Sequence, residues 1–276
     1  MIALVTDSTA YMTKAEAEAM GIKIVPMSYT VANQLYIESY GDHNGDFEAL
    51  IARHPSKCTT SQASLSEFMS IFEELIRQNY EVICPVISSR LSGTYSCASL
   101  AAKSVSPDKI IVVDSHTTAG GLSLFMKKAV EFVRSGYSLK EVAEKLEAMR
   151  SHIGIAFSVN NLDALRRSGR LTLMRQSVST ILNLRPILLC EDGALVAQGI
   201  ARGKHELIQQ LANRVPKNAT RIIIQALDDH AAVGPLTAEI RRILPNAELK
   251  ITTVGPVICI NIGLGAIGVS WICEEQ

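Results

Sequence analysis

The chain has 276 residues, of which 47% are hydrophobic and 20% charged, and its 27 Lys and Arg residues balance 27 Asp and Glu residues. This length allows one large or two ordinary domains, and the lack of a basic excess argues against nucleic-acid binding as a main role. The sequence has no apolar run long enough to span a membrane, and its start is typical of a strand rather than of a signal peptide. Its six cysteines form no Cys-x-x-Cys pair, which is typical of a reducing compartment, so we expect a cytoplasmic protein.

The first half alternates short apolar runs with helical stretches. The patterns predict strands at Ile2–Val5, Lys23–Met27, Val82–Ile87 and Lys109–Val113, and helices at Lys14–Met20, Phe47–Arg53, Ser64–Arg77, Thr94–Lys103, Gly121–Arg134 and Leu139–Arg150. The strands are continuously apolar rather than alternating, which is typical of a parallel sheet covered on both faces. The sequence therefore predicts an α/β domain over residues 1–150.

The second half has a different pattern, with a hairpin signal in place of regular alternation. Asp192-Gly193 separates apolar runs at Arg185–Leu189 and Ala194–Ala201, as in a two-residue β-hairpin. Further strands are predicted at His152–Val159, Arg221–Ala226, Glu248–Val254 and Ala266–Ile272, and helices at Asn161–Arg167, Lys204–Arg214 and Ala232–Leu244. The sequence therefore predicts a mixed-sheet α+β domain over residues 151–276.

Two clusters of hydroxyl side chains precede predicted helices. One is the segment from Ser88 to Ser96, which follows a buried strand, and the other is Thr59-Thr60-Ser61-Gln62. The simpler interpretation is that these Ser and Thr residues are helix N-caps. The alternative is that two hydroxyl-rich turns, with their free N–H groups and helix dipoles, share one carboxylate or phosphate.

Several segments partly match cofactor or metal motifs, but none has the spacing or the following residues that such a site requires. The segment from Gly263 to Gly268 matches G-x-G-x-x-G, but only residues 269–276 follow, too few for the rest of a dinucleotide-binding unit. The segment Gly199–His205 has neither the spacing nor the Ser/Thr of a P-loop. Asp42-His43 and Asp228-Asp229-His230 lie in loop-like stretches without zinc-ligand spacing. We therefore expect neither a cofactor nor a metal.

Arg170 follows a predicted helix and the glycine that ends it. Arg166 and Arg167 are explained by the favourable interaction of cations with a helix C-terminus. Arg170 lies beyond Gly169 and is not needed for capping, so we expect it to project into solvent. The motif favours equally a cation that complements the helix end and a contact of Arg170 with a partner or a phosphate.

Taken in order, these segments resemble the DegV family, which includes the fatty-acid-binding subunits of bacterial fatty acid kinase. The matching segments are Asp7-Ser8-Thr9-Ala10, Thr60-Ser61-Gln62 with Ser64, Ser88-Ser89 through Leu91-Ser92-Gly93-Thr94-Tyr95, Val113-Asp114-Ser115, Asn161-Leu162 with Leu165 and Gly169-Arg170, Arg185-Pro186-Ile187-Leu188, and Gly255-Pro256-Val257-Ile258. The sequence departs from the family pattern in three places: Asn261 and Leu264 replace a His and a Pro in the C-terminal loop, Ser168 replaces a Gly, and Ala119-Gly120 replace a Ser followed by a larger residue.

The resemblance implies a two-domain protein that holds one long-chain fatty acid between its domains. The carboxylate would meet Thr60, Ser61, Ser92 and Gly93, with Asn261 in the C-terminal glycine-rich loop, and the acyl chain would enter an apolar cavity. The chain would be a binding subunit rather than an enzyme. A separate ATP-dependent kinase subunit would contact Arg170 and form the acyl phosphate.

A second hypothesis is a serine hydrolase or acyltransferase with Ser92 as nucleophile. This chemistry needs a histidine within hydrogen-bond reach of the serine hydroxyl. His116, in a predicted loop after a strand of the same domain, is the one candidate.

Overall fold

The computed structural model describes residues 1–174 and 184–273, which form fourteen strands and ten α-helices. The strands are β1 Ile2–Asp7, β2 Ile22–Val25, β3 Met27–Val31, β4 Gln34–Glu38, β5 Cys58–Ser61, β6 Glu81–Val86, β7 Ile110–Asp114, β8 Ile153–Ser158, β9 Leu171–Met174, β10 Leu184–Glu191, β11 Ala194–Arg202, β12 Ala219–Leu227, β13 Glu248–Thr253 and β14 Ala266–Cys273. The helices are α1 Lys14–Met20, α2 Phe47–Arg53, α3 Leu65–Arg77, α4 Thr94–Val105, α5 Ala119–Arg134, α6 Leu139–Ala148, α7 Asp163–Ser168, α8 Gly203–Ala212, α9 His230–Ile243 and α10 Pro256–Ile262.

The predicted parallel sheet is confirmed, with strand order β2-β1-β6-β7. Successive residues of β6 are buried on opposite faces: Val82 packs in one core with Phe68 of α3, and Ile83 packs in another with Leu122 of α5. Both faces are covered by helices, which explains why the strands are continuously apolar.

The predicted mixed sheet is also confirmed. It has seven strands in the order β13-β12-β14-β8-β10-β11-β9, with parallel pairs at both edges and antiparallel pairs between them. The β10–β11 hairpin turns at Asp192 and Gly193, with φ values of 46° and 77°, as an Asp-Gly hairpin requires. All strands up to Asp114 belong to other sheets, and the division at residue 150 stays a prediction.

A small antiparallel sheet in the first half was not predicted. Its order is β4-β3-β5. The apolar run Lys23–Met27, predicted as one strand, divides at Pro26 into β2 of the parallel sheet and β3 of the small sheet. Proline has no N–H to donate to a ladder, which explains the break. Thr60 and Ser61 belong to β5, opposite Tyr29 and Ser28, so the prediction that they form a turn was wrong.

Helix α10 was also missed, although its ends carry recognisable signals. Pro256 is at its first turn, and Gly263 follows its last residue with a φ of 86°. The helix lies against α2, α7, β3 and β5, and so joins the small sheet to the second half of the chain. Helix α5 lies between the parallel and the mixed sheet, with contacts to β1 and β6 on one side and to β8, β12 and β14 on the other. The two halves therefore share one interior.

Candidate functional site

A cavity of about 360 Å³ lies in this shared interior, between the mixed sheet, the start of α5 and α10. The volume is within the range of small-molecule sites. Most of its wall is apolar, formed by Ile87, Leu91, Ile155, Phe157, Leu165, Leu195, Val254 and Val257. Polar residues line its two ends, and we call them the mouth and the deep end.

The mouth consists of Thr60, Ser61, Gln62, Ser92, Gly93, Arg170 and Asn261, all partly or fully accessible to solvent. The structure thus brings every residue that the sequence predicted to hold a ligand into one place. Gln62 also lines the mouth; it belongs to a segment that matches the family pattern, but it was not predicted as a site residue.

Two buried carboxylates fix the turn that carries Ser92. Asp7 Oδ2 accepts a hydrogen bond from Ile87 N at 2.7 Å, and Asp114 Oδ1 accepts one from Ser89 N at 3.1 Å. Both acids lie at the carboxyl ends of parallel strands, where such folds place binding sites. Burial raises the pKa of Asp7, with the hydrogen bonds that it accepts acting in the opposite direction. These acids position the turn and do not line the cavity.

The Ser92 turn is linked to the segment after β5. The Ser92 and Thr94 hydroxyls lie 2.9 Å apart, and Thr94 Oγ1 accepts a hydrogen bond from Ala63 N at 3.4 Å. On the opposite side of the mouth, Asn261 Nδ2 donates to Thr60 Oγ1 at 3.3 Å and to Val257 O at 2.7 Å. Both hydrogens of the Asn261 amide are therefore already used within the protein.

Arg170 does not project into solvent, and that expectation was wrong. Its Nε donates to Leu91 O at 3.3 Å and its Nη1 donates to Ser168 O at 2.6 Å, so the half-buried side chain lies across the mouth. The reason is that the chain leaves Gly169 directly into β9, an edge strand of the mixed sheet. Among the described residues, no carboxylate forms a salt bridge with Arg170, so its positive charge is available to an anionic ligand.

The deep end consists of Thr118, Gln225 and Ser270, which are 7%, 6% and 2% exposed. Gln225 Oε1 accepts from Gly120 N at 2.7 Å, and its Nε2 donates to Thr253 O at 3.2 Å. These three residues were not predicted from the sequence. The signal was a polar side chain inside an apolar strand, since Gln225 follows three isoleucines and Ser270 lies between Val269 and Trp271.

A family model described as "Uncharacterised protein, DegV family" matches residues 1–274. The chain belongs to the DegV family. A DegV domain-containing protein from Halalkalibacterium halodurans is 30% identical over 283 positions, covering 99% of both chains. A solved DegV family protein from Thermus thermophilus, described by its fatty acid binding, is 28% identical, with a TM-score of 0.84 over 99% of both chains. The Streptococcus pneumoniae Fatty Acid Kinase (Fak) B3 protein, solved with linoleic acid, shares the fold at 21% identity and a TM-score of 0.85, over 99% of this chain and 100% of that one.

Two departures of this DegV protein from the family pattern are in contact. Ser168 Oγ donates to Asn261 O at 3.4 Å and to Leu165 O at 3.1 Å. The serine and the asparagine therefore belong to one hydrogen-bonded arrangement that also includes Arg170, which donates to Ser168 O.

The hydrolase hypothesis is not supported. The Ser92 hydroxyl is paired with Thr94, and no histidine bonds to it in the described part of the chain. His116 does not line the cavity, and its Nε2 lies 3.7 Å from Asp114 Oδ2. Ser92 is thus placed to donate a hydrogen bond rather than to act as a nucleophile.

A buried glutamate attaches α10 to the small sheet. Glu38 is fully buried and accepts hydrogen bonds from Ser8 Oγ and Val257 N, both at 2.8 Å, and from Tyr11 OH at 3.4 Å. Burial raises the pKa of Glu38 to about 7. Because Val257 is in the first turn of the helix that carries Asn261, Glu38 supports the mouth without lining it.

The glycine-rich segment from Gly263 to Gly268 connects α10 to β14 and enters the cavity wall. Gly263 and Gly265 have φ values of 86° and 76°, a conformation that favours glycine.

In residues 1–174 and 184–273 no helix has the length and apolar character of a membrane span, and no three metal-ligating side chains are grouped.

Proposed function

We propose that this protein binds one long-chain fatty acid, with its carboxylate at the mouth and its acyl chain in the apolar cavity. The observation that carries the proposal is the combination of an apolar interior with an arginine at its entrance that has no acidic partner among the described residues. The fatty acid binding of the Thermus thermophilus relative supports it.

The carboxylate has several donors within the mouth. An ionised carboxylate only accepts hydrogen bonds, and it can accept several at once. The Ser92, Thr60 and Ser61 hydroxyls, the Gly93 backbone N–H and the Arg170 guanidinium are among the donors on this surface. Hydrogen bonds between charged partners are stronger than neutral ones, so Arg170 contributes the largest share.

The acyl chain supplies most of the binding free energy. Each buried CH₂ group contributes about 0.8 kcal/mol, so a chain of about sixteen carbons has on the order of 12 kcal/mol available before losses. Association and ordering remove a large part of this gain. The remainder is sufficient for tight binding with a single charged contact.

Native mass spectrometry of the protein purified from a bacterial host tests the proposal. We expect a species heavier than the bare chain by one fatty acid, and the same fatty acid in an organic extract. The bare mass alone, retained after incubation with palmitic or oleic acid, would contradict the proposal.

We further propose that the bound carboxylate is phosphorylated by a separate kinase subunit that brings ATP, in the cytoplasm. A second cavity of about 790 Å³ adjoins the first and shares Thr60, Arg170 and Asn261 with it. The head group is therefore reachable from this side without opening the acyl cavity. One carboxylate oxygen would attack the γ-phosphorus of ATP, which forms acyl phosphate and releases ADP. In this proposal Arg170 contacts both the carboxylate and the partner's phosphate donor.

Hydroxylamine trapping of the acyl phosphate tests the partnership. We expect a hydroxamate when the protein, oleic acid, ATP and a bacterial fatty acid kinase subunit are mixed, and none when either protein is omitted. A hydroxamate formed by this chain and ATP alone would make it an enzyme and overturn the assignment as a binding subunit.

A further inference from the structure

The deep end of the cavity is more polar than a saturated hydrocarbon chain requires. Ser270 is 2% exposed, lines the cavity, and its hydroxyl has no hydrogen-bond partner in the part of the chain that the structure describes. Thr118, 7% exposed, also lines the cavity, and its Oγ1 has no partner among those residues. Gln225 donates one of its two amide hydrogens to Thr253 O, and the second has no acceptor within residues 1–174 and 184–273.

These groups surround one point at the start of α5. A Cβ atom placed on Gly120 would lie 2.7 Å from Ser270 Oγ and 2.9 Å from Gln225 Oε1. The Ser270 and Gln225 side-chain oxygens therefore pack directly against the backbone of Gly120, where there is no room for a Cβ atom. Ser270 is on the face of β14 that also presents Ala266 and Gly268 to the cavity, since residues two apart share a face.

The deep end belongs to the mixed sheet, whereas the mouth includes Asn261 of α10, the helix that precedes β14. The cavity follows β14 from Ala266, near the loop after α10, to Ser270. Four residues of a strand span about 13 Å, and an extended alkyl chain of roughly ten carbon–carbon bonds, each about 1.5 Å long, covers that distance. A ligand that follows β14 from a carboxylate at the mouth would place the distal half of its chain beside Ser270.

We propose that the cavity selects an acyl chain that carries a hydroxyl group on its distal half, and that Ser270, with Gln225 and Thr118, forms the site for that hydroxyl. The proposal rests on the proposed function, because it assumes a fatty acid with its carboxylate at the mouth. A hydroxyl both donates and accepts, so it pairs with the Ser270 hydroxyl and with the free Gln225 amide hydrogen.

A plain hydrocarbon chain should bind less tightly at the deep end than a chain with a hydroxyl group there. It would take water away from the Ser270 hydroxyl and the Gln225 amide and offer no replacement partner, and an unpaired buried polar group is costly. One neutral hydrogen bond corresponds to roughly 3- to 10-fold in affinity, which sets the size of the expected preference.

Affinities for matched acids test the proposal. We would measure stearic acid against 12-hydroxystearic acid, and palmitic acid against 16-hydroxypalmitic acid, by calorimetric titration of the delipidated protein. We expect at least one hydroxy acid to bind about 3- to 10-fold more tightly than its parent acid. In Ser270→Ala the ratio should fall to about one, because both the new partner and the unpaired hydroxyl are removed.

Ser158→Ala is the matched control. Ser158 is in the same sheet, is fully buried and has a hydroxyl without a partner among the described residues, but it does not line the cavity. The Ser158→Ala variant should keep the wild-type ratio of hydroxy-acid affinity to parent-acid affinity. If both hydroxy acids bind no better than their parents, or if Ser270→Ala keeps the preference, the hydroxyl site is wrong while the fatty-acid site stands. If no acid binds to the wild-type protein, both the hydroxyl site and the proposed function are wrong.

Discussion

The two ends of the cavity are built in different ways. The mouth is assembled from β5, the turn before α4, the residue after α7 and α10, which come from distant parts of the chain, and it includes one charged side chain. The deep end consists of neutral side chains on two adjacent strands, β12 and β14, and at the start of α5. Its groups are almost fully buried, whereas those of the mouth are within reach of solvent.

This difference separates two recognition tasks. An anion can be held where water and a partner protein still reach it, because a guanidinium keeps its charge there. A neutral side chain of the buried sheet contributes through hydrogen bonds, which are stronger in apolar surroundings than in water. The contrast predicts that variants at the mouth act on the head group, and that variants at the deep end act on the acyl chain.

The largest effect is expected on the free energy of unfolding. At the mouth, a buried carboxyl group, that of Glu38, holds α10 in place, whereas the deep end consists of neutral side chains. Burial raises the pKa of Glu38 from 4.5 to about 7, so the folded state holds this proton more tightly than the unfolded state. The stabilisation is complete below about pH 4.5 and is lost as the pH rises through 7, so the free energy of unfolding should fall by about 3 kcal/mol over that window.

Urea denaturation at several pH values measures this slope in the wild type and in Glu38→Gln. The glutamine cannot ionise, so most of the fall between pH 5 and 8 should disappear in the variant. An unchanged slope would assign the titration to another group, with Asp7, whose pKa burial also raises, as the first candidate.

The second largest effect is expected on fatty-acid affinity when the positive charge at the mouth is removed. Arg170→Ala should weaken fatty-acid binding by roughly 100-fold, because the carboxylate loses a charge-assisted contact worth about 3 kcal/mol. The corresponding fatty alcohol should lose far less. Arg77→Ala, which removes an exposed arginine from the end of α3, is the control. Intact fatty-acid affinity in Arg170→Ala would restrict this residue to the partner contact.

A smaller effect is expected at the Ser92 hydroxyl. Ser92→Ala should weaken fatty-acid binding by about 10-fold and binding of the matching fatty alcohol by less, since the bond is strongest to a charged acceptor. Calorimetric titration with both ligands measures the difference. Equal losses for acid and alcohol would mean that Ser92 contacts the acyl chain.

The smallest effect at the mouth is expected for Asn261, where the family has a histidine. Both hydrogens of its amide are already donated, to Val257 O and Thr60 Oγ1. Asn261→Ala should therefore lower affinity by only about 3-fold, through the loss of one neutral contact that orients Thr60. A loss as large as that of Arg170→Ala would show that the amide binds the carboxylate directly.

Much of the fold could be predicted from local patterns, and the failures have physical causes. Continuous apolar runs identified the parallel sheet because both of its faces are covered, and Asp192-Gly193 identified the hairpin because few residues adopt its backbone angles. The small sheet was missed for two reasons: its β3–β4 hairpin turns at Ala32-Asn33, which is not an Asn-Gly or Asp-Gly signal, and β5 pairs with β3 across the intervening α2. Strand β4 also exposes Leu35 and Ile37 and buries Glu38, so its apolar residues do not mark its buried face.

The residue types of the site could be predicted better than their placement. Hydroxyl clusters before helices identified Ser92 and Thr60, although only tertiary structure shows that Thr60 is in a strand. The position of Arg170 depends on the course of β9 after Gly169, which no local pattern encodes. Gln225 and Ser270 could have been found, because polar residues inside apolar strands need partners that the strand does not supply.

The orientation of the bound ligand is the central claim, and a crystal structure of the protein with palmitic acid tests it most directly. We expect one acid per chain, with its carboxylate within hydrogen-bond distance of Ser92 Oγ and the Arg170 guanidinium and its methyl end beside Ser270. A reversed acid, with the carboxylate at Gln225 and Ser270, or an acid bound outside this cavity, would contradict it.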